Sequence, residues 1–356
     1  KALNDFGLEP VYDKTAYKTE SHIRMKINED FTCYKGVNLF EIISNKMKSH
    51  INLDSLSSSN VLSWNEILKT PVEKIPTEYR LLMEKYFSDA IYHLNYFIDI
   101  FQTLKPAVVF VHGGAQIYQH ACLKACEVLN LNCFVLEHLF TGEDFYLEKQ
   151  FFPIQNSIHT VDRIMRRIES NPIEIPMYSL KKINNLNVKN QPDIENDIET
   201  LELINVRKSA LFICQVASDF SLTNIGDDFI LGNEITNKIK ELLEGYDYIV
   251  VKLHPYEKTK EGEYLTKKFI ESEFSKEIGE KIHFIEGLNL NVNNGFQCAY
   301  GFCSQYLFEV IDAGIPCEIR ETFFGHKILN FNSQLEIIKN YTKWGNFHKF
   351  RVDGLF

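Results

Sequence analysis

The sequence predicts an α/β fold built from two doubly wound, Rossmann-like domains that face each other across a cleft. The clearest observation is a regular alternation of apolar, strand-like runs with helical periods over residues 209–320, which is typical of a parallel sheet covered by helices. A shorter strand–helix–strand unit occupies residues 106–136. The length of 356 residues also exceeds one ordinary domain, which favours two.

Composition and charge narrow the class of protein. The chain is 45% hydrophobic and 24% charged, which supplies enough apolar material for two packed cores. A net charge of −10 argues against a nucleic-acid partner. The eight Cys show no disulfide-framework spacing, so we expect buried thiols in a reducing compartment. Cys122 and Cys126 stand four residues apart on a predicted helix, but they lack the second Cys pair of a typical zinc site.

The sequence also bears on where the protein works. No run approaches the roughly 18 apolar residues of a membrane span, and no signal peptide is visible. We therefore expect a cytoplasmic protein with at most peripheral membrane association. Because the sequence begins at Lys1, we also expect it to be one module of a larger protein.

The first half predicts mainly helices around one strand–helix–strand unit. Residues 1–75 carry the weakest pattern, although residues 37–47 have helical spacing. Thr77 is the predicted cap of a long amphipathic helix that reaches Phe101. The unit that follows predicts a parallel pair of strands with a right-handed crossover. Its strands cover 106–111 and 132–136, and its helix covers 115–129.

Two polar groups follow the strands of this first unit. His112, Gly113 and Gly114 form a tight turn that lets the backbone approach a ligand at a helix N-terminus. The two glycines are a weak signal, because the turn needs them in any case. Glu137 and His138 end the second strand. The Glu137 carboxylate is a candidate acid or base, and a structural ion pair is an equally good interpretation.

The second half predicts a complete doubly wound domain. The predicted strands cover 210–216, 248–253, 281–286, 297–302 and 316–319, and the predicted helices cover 234–243, 264–278 and 304–313. Two such domains facing a cleft make the GT-B architecture of nucleotide-sugar glycosyltransferases, which is an analogy at the level of the fold. A stretch rich in Pro, Asn and acidic residues, 172–208, predicts the domain boundary.

The strand over 248–253 ends in a polar signal. Lys252 closes the apolar run, and His254 and Pro255 follow it. Pro255 cannot continue a strand, so the sheet must stop there. Ligands of open α/β sheets bind beyond the carboxyl ends of strands, so His254 is placed to meet a phosphate or a carboxylate. The alternative is a strand-end His that hydrogen-bonds only to a backbone carbonyl.

Two further strand ends carry polar residues at equivalent places. Gln215 and Asp219 follow one strand, where Asp219 could meet a substrate carbon or could simply cap a turn. Ser304 opens a predicted helix after another strand and either caps it or presents its N-terminus to a phosphate. Glu309 lies deeper in that helix, where its carboxylate could accept hydrogen bonds from ribose hydroxyls.

These motifs together resemble a known family. The segments QVASD (215–219), VKLHP (251–255) and Ser304 with Glu309 before AGIP (313–316) are similar to the bacterial capsular-polysaccharide synthesis family. That family includes the retaining β-Kdo (3-deoxy-manno-octulosonic acid) transferases. FVLEH (134–138) and FYLE (145–148) resemble the family's strand ending in Glu and the segment after it. The resemblance covers residues 105–150 and 209–320, with His138 where a Gly is common and Cys303-Ser304-Gln305 in place of a Ser/Thr-rich turn.

The resemblance implies a function and a set of roles. The donor would be CMP-Kdo and the acceptor a bacterial polysaccharide or glycolipid, without a metal cofactor, at the inner face of the inner membrane. Retention would proceed through a covalent glycosyl-enzyme on Asp219, with Glu137 as the base. Donor binding would fall to His254, Pro255, Lys252, Ser304, Glu309 and Gln215. Contacts to the sugar or the acceptor are expected from His112, Gly113, Gly114 and His138.

The resemblance also assigns roles to the domains and leaves two alternatives open. The acceptor side would be residues 1–190 and the CMP-sugar side residues 205–330, with 331–356 crossing back to the first domain. One alternative is an inverting, sialyltransferase-like CMP-sugar transferase. The other is a non-catalytic module that binds a sugar or a nucleotide. The anomeric configuration of the product distinguishes an inverting transferase from a retaining one. Turnover of the donor distinguishes an enzyme from a non-catalytic binding module.

Overall fold

The computed structural model describes residues 33–58, 60–138, 145–153, 207–258, 262–288, 295–304, 306–307, 310 and 313–320. Three sequence predictions lie outside this part of the chain. They are the linker up to residue 206, Glu309, and the segment 331–356. The division at 190–205 therefore stays a prediction.

The described chain begins with a ribbon and three helices. Strands β1 (Cys33–Tyr34) and β2 (Val37–Asn38) pair antiparallel and lead into α1 (Leu39–Asp54). Helix α2 (Trp64–Lys69) and a 3-10 turn precede α3 (Thr77–Leu104). The prediction that Thr77 caps α3 is wrong, because Pro76 occupies the cap position and Thr77 is already helical. Pro76 has no side-chain acceptor, so α3 begins without a side-chain cap for the N–H groups of its first turn.

A three-stranded sheet follows these helices. It contains β3 (Val109–His112), β4 (Cys133–His138) and β5 (Phe145–Lys149), and α4 (Ile117–Val128) connects β3 to β4. The parallel β3–β4 pair confirms the predicted strand–helix–strand unit. Strand β5, which the sequence analysis did not predict, runs antiparallel to β4. Only residues 139–144 separate β4 from β5, and a parallel return needs a crossover of a dozen residues or more.

The second half forms a parallel sheet, which confirms the α/β fold. Its strands are β6 (Ser209–Ile213), β7 (Tyr248–Lys252), β8 (Ile282–Ile285), β9 (Phe296–Gly301) and β10 (Cys317–Ile319). They lie in the order β10-β9-β6-β7-β8, with every pair parallel. Helix α5 (Leu231–Gly245) connects β6 to β7, and α6 (Leu265–Glu273) connects β7 to β8. The order is that of a Rossmann-type sheet.

Burial on both faces explains the apolar runs of this sheet. All five residues of β6 and all five of β7 are buried. Alternate residues enter different cores: Phe212 and Val251 pack on the face that carries Phe302, whereas Leu211 and Val250 pack on the other. A strand covered on both faces has no polar side, so its sequence reads as a continuous apolar run.

Helix α1 joins the two halves of the described chain. Its apolar residues pack in the first core, and its polar side chains bind the second half. The Ser49 hydroxyl donates to the Ser218 carbonyl at 2.9 Å, and the Asn52 side-chain oxygen accepts from the Leu231 N–H at 3.2 Å. The Ser55 hydroxyl accepts from the Gly232 N–H at 2.9 Å. Helix α1 therefore holds the start of α5 and the loop after β6.

None of the helices in the described part of the chain combines the length and the apolar content that a membrane span needs.

Candidate functional site

The topology of the parallel sheet marks one crevice. From β6 the chain proceeds to β7 on one side, and it later returns to place β9 on the other side of β6. The strand order therefore reverses between β6 and β9. Ligands of open α/β sheets bind beyond the carboxyl ends of the strands at such a switch point. The residues that follow these ends are 214–219 and 302–304.

Gln215 joins the two strand ends at this crevice. Its side-chain oxygen accepts from the Cys303 N–H at 3.2 Å and from the Cys303 thiol at 3.3 Å. Its amide nitrogen donates to the Asp219 carboxylate at 3.2 Å and to the Ser221 hydroxyl at 2.5 Å. Gln215 is only 5% exposed. Its amide is thus committed to protein groups, whereas the sequence analysis assigns it to the donor.

The Asp219 carboxylate is held in one orientation. One oxygen accepts from the Ser221 N–H at 2.9 Å, which caps the 3-10 helix Phe220–Asn224. The other oxygen accepts from Gln215. Asp219 therefore caps a turn, which is one of the two interpretations drawn from the sequence. Each carboxylate oxygen has two lone pairs, so capping leaves capacity for a further partner, and the side chain is half-buried rather than enclosed.

A backbone hydrogen bond defines the tautomer of His254, which follows β7. Its Nδ1 accepts from the Tyr256 N–H at 3.2 Å, so the neutral ring carries its proton on Nε2. Burial, followed by the charge of Lys252, lowers the pKa of His254, and the charge of Asp219 acts in the opposite direction. Asp219 and His254 follow β6 and β7, which are neighbouring strands of the sheet. Pro255 begins the 3-10 turn Pro255–Glu257.

Lys252 and Ser304 occupy the neighbouring strand ends. Lys252 is buried, and its Nζ lies 4.1 Å from the centroid of the Tyr306 ring. The Tyr306 hydroxyl is itself fixed by donation to the Leu288 carbonyl at 2.8 Å. The Ser304 hydroxyl accepts from the Tyr306 N–H at 3.3 Å, and residues 306, 307 and 310 are helical. Ser304 therefore has the geometry of a cap.

Glu257 is a site-forming residue that the sequence analysis missed. Its buried carboxylate accepts from the Thr266 hydroxyl of α6 at 2.6 Å. Burial raises the pKa of Glu257, and contacts with Thr266 and the Ala217 backbone act against that rise. The side chain therefore braces the turn after His254 against α6 and the loop after β6. The only sequence signal for Glu257 is its position three residues after His254. That position does not reveal that its side chain is buried.

The residues predicted on the first sheet lie at the ends of β3 and β4. His112 is exposed. The Gly113 and Gly114 N–H groups donate within the protein, to the Leu136 carbonyl at 2.8 Å and the His112 carbonyl at 2.7 Å. Gly114 has a φ of 89°, a left-handed conformation that favours glycine.

The two residues that end β4 are described only in their backbone. Glu137 pairs with Tyr146, and His138 pairs with Phe145, across the β4–β5 ladder. The side chains of Glu137 and His138 lie outside the described part of the structure.

The described residues contain no group of three or more His, Cys, Asp or Glu that could hold a metal ion. A cavity of about 630 Å³ is lined by Arg207, Asp247, Gly279, Glu280, Lys281 and His283. Because Arg207, Asp247 and Lys281 precede β6, β7 and β8, this cavity lies at the amino edge, opposite the switch-point crevice.

Comparisons with known proteins find distant structural likeness. No family model matches the sequence, and no curated protein matches it. The chain is similar to KpsC of Thermosulfurimonas dismutans, a β-Kdo 2,7 transferase, with a TM-score of 0.39 and 15% identity over 69% of this chain and 79% of that one. It is also similar to the UDP-GlcNAc 2-epimerase of Methanocaldococcus jannaschii, with a TM-score of 0.32 and 16% identity over 78% of this chain and 80% of that one. The UDP-GlcNAc 2-epimerase of Neisseria meningitidis has a TM-score of 0.31 and 13% identity over 85% of this chain and 88% of that one.

Proposed function

We propose that this chain is a glycosyltransferase that moves Kdo from CMP-Kdo to a hydroxyl group of a bacterial surface glycan with retention of configuration. The observation that carries the proposal is the convergence of three sequence motifs on one crevice. The loop with Gln215 and Asp219, the His254 turn and Ser304 follow β6, β7 and β9. These are adjacent strands at the switch point, where nucleotide-binding α/β proteins place their ligand.

Donor binding follows from the groups at these strand ends. The Nε2–H of a neutral His254 donates to a phosphate oxygen, and the phosphate charge in turn favours protonation of the ring. The buried ammonium of Lys252 lies behind it and adds positive charge. Pro255 fixes the turn, Ser304 provides a hydroxyl beside the phosphate, and Glu309 accepts hydrogen bonds from the ribose. Metal assistance is not required in this scheme.

Transfer takes place in two displacements. The Asp219 carboxylate attacks the anomeric carbon of Kdo, and the bond from that carbon to the phosphate oxygen breaks, so CMP leaves with the electron pair. The acceptor hydroxyl then attacks the same carbon from the vacated side and releases Asp219. Glu137 takes the proton of that hydroxyl. Two inversions give net retention.

The acceptor is held by the first sheet in this scheme. His112 and His138 are the last residues of β3 and β4, and Gly113 and Gly114 follow β3. Their positions suit contacts to the sugar or the acceptor. The acceptor itself is a bacterial polysaccharide or a glycolipid at the inner face of the membrane.

The test is turnover of defined donors by the protein. We would incubate it with CMP-Kdo and a panel of glycan acceptors, with UDP-GlcNAc as a control donor, and determine the product's anomeric configuration by NMR. We expect a β-linked Kdo product and, without acceptor, a protein species heavier by one Kdo unit on the peptide that contains Asp219. An inverted product favours the sialyltransferase-like alternative. Absence of CMP-Kdo turnover with every acceptor contradicts the proposal.

A further inference from the structure

Two lysines and a histidine near the loop that carries Asp219 have no role in the scheme above. Lys46 and His50 lie four residues apart on α1 and therefore share one helix face. Lys85 belongs to α3, and the residue after it, Tyr86, packs its ring 5.7 Å from the ring of His50. We refer to Lys46, His50 and Lys85 as the cationic cluster. The sequence analysis did not identify it, because its members come from two helices.

The cationic cluster borders the loop that carries Asp219. The Lys46 Nζ lies 5.8 Å from the centroid of the Phe220 ring, and Phe220 directly follows Asp219 in the chain. Ser49, on the same side of α1, donates to the Ser218 carbonyl at 2.9 Å. These contacts place Lys46, and with it one end of the cationic cluster, beside the loop that carries Asp219.

Within the described part of the chain, no carboxylate forms an ion pair with either lysine. Among the described residues, Lys48 pairs with Asp227, whereas no acidic group lies within ion-pair distance of Lys46 or Lys85. Asp54, one turn beyond His50, accepts a hydrogen bond from Tyr79 instead. Asp89, one turn beyond Lys85, acts on the Tyr86 hydroxyl.

The positive charges of the two lysines oppose one another and oppose protonation of His50. Burial, then the charge of Lys85, lowers the pKa of Lys46. Burial, then Lys46 and Lys85, lowers the pKa of His50. A protein that holds partly buried cations together without an anion bears an electrostatic cost, and a bound anion removes that cost. The arrangement is thus that of an anion site that awaits its ligand.

We propose that the cationic cluster binds an anionic group of the substrate, a carboxylate or a phosphate, on the Asp219 side of the crevice. This inference rests on the proposed function and adds a substrate property to it. The anion has two possible sources with shared chemistry. One is the carboxylate of Kdo, which is attached to the anomeric carbon that Asp219 attacks. The other is a phosphate on the acceptor glycan.

Binding of small anions tests the cluster without any turnover. The probes are free Kdo, its neutral methyl ester and inorganic phosphate, titrated calorimetrically. The test variant is Lys46→Gln with Lys85→Gln, and the control is Lys69→Gln with Lys74→Gln, which removes the same charge from the exposed end of α2 and the turn after it. We expect the test variant to weaken Kdo or phosphate binding by roughly 10- to 100-fold for each lost charged contact. The control and the methyl ester should show no such change.

The outcomes identify the source or overturn the inference. Weakened Kdo binding alone assigns the cluster to the donor sugar, and weakened phosphate binding alone assigns it to the acceptor. Unchanged binding of both probes in the test variant overturns the inference, as does the absence of binding by the wild type up to about 50 mM. If transfer from CMP-Kdo fails but cluster-dependent binding persists, only the proposed function fails.

A second measurement uses the unmodified protein. The His50 imidazole is titrated by NMR with and without a saturating concentration of the bound probe. An anion among Lys46, Lys85 and His50 stabilises the imidazolium, so the pKa of His50 should rise on binding. An unchanged His50 titration under saturation contradicts the cluster as the binding site.

Discussion

At the scale of single residues, the Asp219 carboxylate combines a structural and a proposed chemical role. The Ser221 N–H and Gln215 amide fix its two oxygens, which limits the carboxylate to one orientation. Fixed orientation favours nucleophilic attack, because the reacting atoms are already aligned. Gln215 thus orients Asp219 by donating from its amide nitrogen, while its amide oxygen accepts from the Cys303 N–H.

The first prediction concerns Asp219→Asn. The amide keeps the oxygen that accepts from Ser221 but cannot act as a carboxylate nucleophile. We expect transfer to fall by at least about 10³-fold, as expected for loss of a covalent nucleophile, while CMP binding is retained. Initial rates with CMP-Kdo and calorimetry with CMP measure the two quantities. Asp247→Asn, at the amino edge of the sheet, is the matched control, and equal activity of both variants would refute the assignment.

The second prediction concerns the protonation of His254. Its pKa is lowered in the free protein, and a bound phosphate raises it. Binding therefore takes up a proton at pH values between the two pKa values. Affinity should rise as pH falls through the pKa of the complex and level off below the pKa of the free protein.

The measurement is CMP-Kdo affinity from pH 8 to 5 in protein that carries Asp219→Asn, which prevents turnover. We expect His254→Gln in that background to weaken binding by about 1.5–3 kcal/mol at low pH and to abolish the pH dependence. An unaltered pH profile after this substitution would remove His254 from the phosphate site.

At the scale of elements, helix α1 is the connection between the two halves. It contributes an apolar face to the first core and hydrogen bonds to the second half. The closest approach is at Gly232, where an added Cβ would lie 2.4 Å from the Ser55 carbonyl oxygen. Backbone contact at this distance leaves no room for a side chain.

The third prediction compares two glycines of α5. Gly232→Ala should lower the free energy of unfolding by about 1–3 kcal/mol, because the new methyl group forces α1 and α5 apart. Gly245→Ala, at the other end of α5, meets no atom within 4 Å, and we expect no loss or a gain of about 0.4–1 kcal/mol. Urea unfolding of both variants measures the difference. Equal effects would show that the α1–α5 contact is not close-packed.

At the scale of the whole molecule, buried histidines couple stability to pH. Burial lowers the pKa of His120 to about 3 and that of His93 to about 4. Both are in the first core, and His120 has no hydrogen-bond partner among the described residues for either ring nitrogen. In the unfolded chain each regains a pKa near 6.5. The unfolded state therefore binds more protons below pH 6.5, and stability falls as the pH falls.

The fourth prediction follows from this linkage. Between pH 7 and pH 5, His120 alone should lower the free energy of unfolding by on the order of 2 kcal/mol. His120→Leu removes the titrating group and keeps an apolar core, so this variant should lose less stability over the same interval. Urea unfolding at the two pH values provides the numbers. An identical loss in wild type and variant would mean that His120 does not contribute.

The sequence by itself determined the elements of the second half and the strand ends that carry its polar residues. The apolar runs at β6 and β7, and Pro255 after His254, are local signals, because strand periodicity and the restrictions of proline act within a few residues. The predicted strand bounds accordingly lie within three residues of those observed, whereas α6 ends at Glu273 and not at residue 278 as predicted. The sequence also singled out Asp219, His254 and Ser304 as neighbours at one edge of the sheet.

Only the tertiary structure decided which distant residues share the crevice. Gln215 and Cys303 meet across 88 positions of sequence, and the cationic cluster combines α1 with α3. Neither pairing leaves a local pattern, because each depends on how separate elements pack. Helix α1 is a further example. The sequence showed its helical period, but it did not show which of its polar side chains bind the second half. Only packing places these side chains against Ser218, Leu231 and Gly232.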